Sequence, residues 1–152
     1  SYLHDYVENT EARIINQVTY GAGIHYRECM NDKDVDYKGY DDLFCYVMAN
    51  DTKETACYIA LNRLSFPFKL LKDAEEKYHH YLQEELIFIV TKLLKEDDIT
   101  NIEQLSKLDL FTESNIEDMI ELAHRMNHIE ATSFFMQYKK LRFALQEKTF
   151  EL

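Results

Sequence analysis

The chain has 152 residues, 46% of them hydrophobic, with only 3 Gly and 1 Pro. So few chain-reversing residues argue against a sandwich or barrel of many short strands. Its 17 basic and 28 acidic residues leave a formal net charge of −11, the wrong sign for a general nucleic-acid binder or for an anionic membrane surface.

In chain order, Val7, Ile14, Ile15 and Val18 recur at the three- and four-residue spacing of one buried stripe. Residues 2–30 therefore read as a helix with a weak point at Gly21-Ala22-Gly23. Residues 31–40 are polar, rich in Asp and hold Gly39, the pattern of a loop. Residues 41–49 read as a short helix with Leu43, Phe44, Val47 and Met48 inward. Asp51-Thr52-Lys53-Glu54 has the form of a capping box, with Asp51 as the cap of a helix over 52–64. Pro67 closes that unit and suits the first turn of the next helix. Residues 69–95 are the longest helical candidate, with a break expected near Tyr81. Its run Leu86-Ile87-Phe88-Ile89-Val90 is apolar on all sides, but the flanking helix formers favour a central helix over a strand. Further boxes at Thr100-Asn101-Ile102-Glu103, Ser114-Asn115-Ile116-Glu117 and Asn127-His128-Ile129-Glu130 open helices to about Leu108, over 115–126 and over 128–145. The sum is an all-α fold of about six to seven helices in a single domain, residues 1–152. Because the chain begins at Ser1, it also reads as a piece cut from a longer protein.

Two stretches echo each other. Tyr46, Val47, Asp51, Glu54, Tyr58 and Ile59 fall in register with Leu122, Ala123, Asn127, Glu130, Phe134 and Phe135, 76 residues on. A hidden middle unit would give a period near 38. Over residues 115–140 the chain resembles an ankyrin repeat. Leu122, Ala123, His128 and Glu130 occupy the places of L-A-x-x-x-G-H-x-E, and Phe134 and Phe135 stand for its paired leucines. Asn127 replaces the turn glycine, and Asp118-Met119-Ile120-Glu121 replaces T-P-L-H. The resemblance implies an irregular, ankyrin-like or α-solenoid-like stack of helical hairpins with a protein-binding face formed by the first helices. On that pattern Glu117, Glu121, His124 and Arg125 face outward on the last unit, and Asp41, Cys45, Met48 and Ala49 on the earlier one.

Reaction chemistry finds little support. Glu76-x-x-His79 and Glu121-x-x-His124 have the spacing used by di-iron carboxylate bundles, with Glu8, Glu11 or Glu28 to complete a site. The loop Asp32, Asp34, Asp36 fails the calcium-loop pattern in either register. Phosphate-loop, dinucleotide and nucleophile-elbow motifs are absent. Cys29, Cys45 and Cys57 form no C-x-x-C pair, which argues against a disulfide framework or a structural zinc. No run approaches the roughly 20 apolar residues of a spanning helix. The expectation is a cytoplasmic module, not an enzyme, without metal or cofactor, that docks on another protein with a basic surface or on a second copy of itself. It touches neither nucleic acid nor membrane directly. The alternatives are an acidic inhibitor that mimics nucleic acid and a helical-bundle di-metal carboxylate enzyme.

Overall fold

The computed structural model describes residues 37–144, so the helix expected over 2–30 and the Asp32–Asp36 loop lie outside the described residues. Eight helices and no strand occur among the described residues: α1 Tyr37–Asp42, α2 Phe44–Asn50, α3 Lys53–Ser65, α4 Lys72–Glu84, α5 Leu86–Lys95, α6 Ile99–Ser106, α7 Ile116–Arg125 and α8 Ile129–Arg142. The fold is all-α, with helix packed on helix. The chain divides into two compact units, Ser1–Glu85 and Leu86–Leu152.

In the first unit α3 is the core helix. Ala56, Cys57, Ile59, Ala60 and Leu61 are at most 2% exposed. A helix apolar over most of its circumference must be covered on several sides, and α2 and α4 both pack on it. Its start is fixed by Thr52, whose hydroxyl accepts from the Thr55 amide at 3.2 Å. The cap is therefore Thr52, one residue later than the box pattern suggests, because Thr52 has the extended backbone a cap needs. Phe44 of α2 sets its ring edge-on to Tyr78 (4.6 Å) and Tyr81 (5.5 Å) of α4. Met48, expected inward, is 40% exposed.

Pro67 ends a helix but not a structural unit. It sits in a separate turn, where Leu70 N–H donates to the Pro67 carbonyl (3.2 Å) and Lys69 takes a positive φ of 51°. The chain then returns along α3 as α4. The expected long helix over 69–95 is two helices, and the break falls at Glu85, four residues beyond Tyr81. The boundary between units lies at the same place.

In the second unit the Leu86–Val90 run is helical, as expected, yet it is not surrounded. Leu86, Ile89 and Val90 are buried, while Ile87 and Phe88 are 52% and 37% exposed. The unit is two helical hairpins, α5–α6 and α7–α8, joined by a loop over 107–115 that buries Leu110 and Phe111. Asn115 holds that loop: its Oδ1 accepts from Thr112 N–H (2.8 Å) and its Nδ2 donates to the Leu110 carbonyl (2.9 Å). The expected Ser114 cap is thus displaced, and Asn115 precedes α7 without capping it by its side chain. Phe111 meets Phe135 edge-on at 5.1 Å, a pair worth about 1 kcal/mol beyond its area.

The two hairpins share one register. Asp97 and Asn127 are both left-handed (φ 56° and 57°). The next residue caps the second helix in each case: Asp98 accepts from Asn101 N–H and His128 from Ala131 N–H, both at 3.1 Å. Helix starts, turns and caps repeat every 30 residues (86 to 116, 97 to 127, 98 to 128, 99 to 129). Buried Leu86, Ile89, Leu93 and Leu105 fall on buried Ile116, Met119, Ala123 and Phe135. Thr52 also caps its helix through its side chain, 76 residues before His128, but Asp51 before it is extended (φ −112°) where Asn127 is left-handed, so the echo at that distance joins two caps and not two like turns. The caps are unevenly spaced and not 38 apart: Asp98 stands 46 residues after Thr52 and 30 before His128, because α4 is interposed.

Candidate docking surface

The sequence-derived positions separate once side chains are placed. Asp41 does not face outward. Its side chain is 4% exposed and grips that of Arg63, itself 0% exposed, through both oxygens: Nε to Oδ1 at 2.9 Å and Nη2 to Oδ2 at 3.2 Å. Tyr78 donates its hydroxyl to the same Oδ1 at 2.5 Å. Arg63 Nη1 donates to the Phe66 carbonyl, and the guanidinium lies 5.1 Å from the centre of the Tyr37 ring. The outward pattern fails here because α1 and α2 are separate helices, broken at Leu43, so the hairpin register does not extend back to residue 41. This network ties α1, α3 and α4 together, and with both oxygens engaged inside the unit Asp41 is too buried to meet a partner. Burial, and then the charge of Asp41, hold the Tyr78 hydroxyl well above the usual phenol range.

Cys45, Met48 and Ala49 are exposed. Lys77 Nζ approaches Cys45 Sγ at 3.8 Å. Cys57 is the opposite case: it is fully buried, and desolvation pushes its thiol up from 9.0 to about 12. Cys45 thus lies on the open side of α2, as the outward pattern expects, and Cys57 in the core of α3.

On the second unit Glu117, Glu121, His124 and Arg125 are all exposed, with Asp118 beside them. Ile116, Met119, Leu122 and Ala123 point the other way, into the core. Glu117 also forms an ion pair with Lys139 of α8. The sequence reading missed the neighbouring part of this surface. Ile87 and Phe88 of α5 occupy the positions equivalent to Glu117 and Asp118, and α5 packs against α7. The legible signal was the pairing of Asp97-Asp98-Ile99 with Asn127-His128-Ile129, which fixes the 30-residue register directly. An open cleft of about 300 Å³ lies at the hairpin turn, lined by His124, Asn127, His128, Ile129, Thr132 and Ser133.

No protein-family model, curated protein or solved structure matches the chain.

Among the described residues no group of three His, Cys, Asp or Glu side chains is placed to hold a metal ion. Glu8, Glu11 and Glu28, which a di-metal site would need, lie outside the described residues. His80 pairs with Glu84 at 2.8 Å and His128 with Asp97 at 2.8 Å, each through Nε2. With Nδ1 of His128 accepting from Ala131, its proton sits on Nε2 and is donated to Asp97. That bond joins the turn of one hairpin to the cap of the next. No helix of the described residues is long and apolar enough to cross a membrane.

Proposed function

We propose that this chain is a protein-docking module built from divergent helical repeats, with its binding face on the first helices of the second unit. The carrying observation is the 30-residue recurrence of helix starts, left-handed turn residues and caps in α5–α6 and α7–α8. That length is close to the roughly 33 residues of ankyrin repeats, and it supports the resemblance seen over 115–140. Units of this kind bury little alone and complete each other's core by stacking, which leaves a continuous outer surface for recognition.

The proposed face sets exposed Ile87 and Phe88 beside the carboxylates Glu117, Asp118 and Glu121, with Lys95 and Arg125 at their helix ends. Apolar anchors next to acidic groups suit a partner with a basic rim around an apolar recess. The aromatic would supply affinity, and the charge would speed encounter and make it salt-sensitive. No catalytic step is assigned. Free Cys45 and Cys57 suit a reducing compartment such as the cytoplasm.

The test is affinity capture from native lysate with the full chain and with Ile87→Asp/Phe88→Asp. The proposal expects a reproducible partner that the double variant loses and that raised salt weakens. Equal recovery by both forms, or no reproducible partner, overturns it.

A further inference from the structure

The two hairpins share a register but not a pattern of exposure. In α5–α6, Val90, Leu94 and Ile102 are buried, and Ile99 and Ser106 are half-buried. Their equivalents in α7–α8 are Ile120, His124, Thr132, Ile129 and Met136. Ile120 and Thr132 are half-exposed, His124 is exposed, Ile129 is 82% exposed and Met136 56%. These five positions share one side of the hairpin, and the cleft lined by Ile129 and Thr132 lies on it. The first hairpin has a successor packed on it through α7, and His128 of that successor reaches back to Asp97. The second hairpin carries the same side with apolar residues uncovered. A hairpin that ended a stack would be polar there.

We infer that this side of α7–α8 is a stacking face for one further helical hairpin in the same 30-residue register, which would cover Ile129 and Met136 and fill the cleft at Asn127. The inference rests on the repeat reading above. The occupant's chemistry follows from the existing junction. It is apolar where α7–α8 is apolar, at the equivalents of Leu122, Met126 and Ala131, and it offers a capping side chain to Asn127 as His128 does to Asp97. A second copy of this chain stacked head to tail does not fit, since α5–α6 presents Lys92, Glu96 and Asn101 at those positions.

The test duplicates residues 107–136 in tandem, inserted after Met136, so that the loop, α7 and the start of α8 recur once in register. A stacked neighbour adds an interface, and the expected rise in the thermal midpoint is about 4 °C or more. Ile129→Arg in the first copy removes that rise, while the same substitution in the parent chain changes the midpoint by less than about 2 °C. Should the insertion impair folding, the same segment joined after Leu152 by a flexible Gly/Ser linker replaces it. An unchanged or lower midpoint in both formats overturns the inference. So does concentration-dependent dimerisation of the parent chain that Ile129→Arg abolishes. A double-mutant cycle on Asp97 and His128 distinguishes this failure from failure of the repeat reading: coupling there with no gain from the added hairpin sinks only the stacking face, and its absence sinks both.

Discussion

Removing the Asp41 carboxylate should be among the most damaging single changes in the first unit. Arg63 is wholly buried, and Asp41 accepts two of the three hydrogen bonds that its guanidinium donates to Asp41 and Phe66. In Asp41→Ala the guanidinium keeps only the Phe66 carbonyl and the Tyr37 ring, and Tyr78 loses its acceptor. Breaking a buried pair on one side costs about 3–5 kcal/mol, because the remaining charge stays out of water. That is a large fraction of the roughly 5–15 kcal/mol that holds a domain together. At about 4 °C per kcal/mol or more, the midpoint of this unit falls by at least about 12 °C. Urea unfolding followed by circular dichroism measures the loss, and peptide-level hydrogen exchange assigns it to residues 37–85. The neighbouring pair Lys38–Asp42 is an internal control, since its side chains are 70% and 66% exposed, and Asp42→Ala should cost under about 1 kcal/mol. Asp41→Leu/Arg63→Met should recover most of the loss, since an apolar pair carries no charge to desolvate. If Asp41→Ala costs no more than Asp42→Ala, or the double variant is no better than the single, the account of this network is wrong.

Alkali should unfold the protein through Cys57. A folded-state thiol held near 12 favours the protonated form, so its stabilising contribution is complete below the ordinary value of 9.0 and drains away as pH rises toward 12. The slope is about 1.4 kcal/mol per pH unit, and it steepens above pH 10 as Tyr78 joins it. Cys57→Ala should flatten the segment between pH 9 and 10 in a stability titration; an unaltered slope refutes it. Thiol reagents, with products mapped by mass spectrometry, should modify exposed Cys45 at once and Cys57 only as the unit opens; simultaneous labelling would contradict the burial. At the turn of α7–α8, Asn127 holds a φ of 57°, so Asn127→Val should cost about 1–2 kcal/mol while Asn127→Gly leaves thermal stability equal or higher; equal losses in both would show the turn does not need that conformation.

The helices were legible because their local chemistry is consistent. Scarce Gly and Pro, three- and four-residue apolar spacing and Ser/Thr/Asp/Asn before Glu act within one turn of chain, and the structure repeats them with caps shifted by one or two residues. Left-handed Asn127 was legible for the same reason. A break near Tyr81 was legible but its place at Glu85 was not: Glu84 and Glu85 are both good helix formers, and the division between units falls there.

The sequence by itself determined that this chain is helical, roughly where each helix starts, and that Leu122–Phe135 turns as one helical hairpin. Only the tertiary structure decided what those helices present. Asp41 and Glu117 look alike in the chain, yet one is sealed against Arg63 and the other lies in solvent. Ile89 and Phe88 are neighbours, yet one is core and one is surface. Helix formation depends on residues within a few positions of each other, whereas burial and ion pairing depend on which distant element arrives opposite, as Arg63 does 22 residues after Asp41.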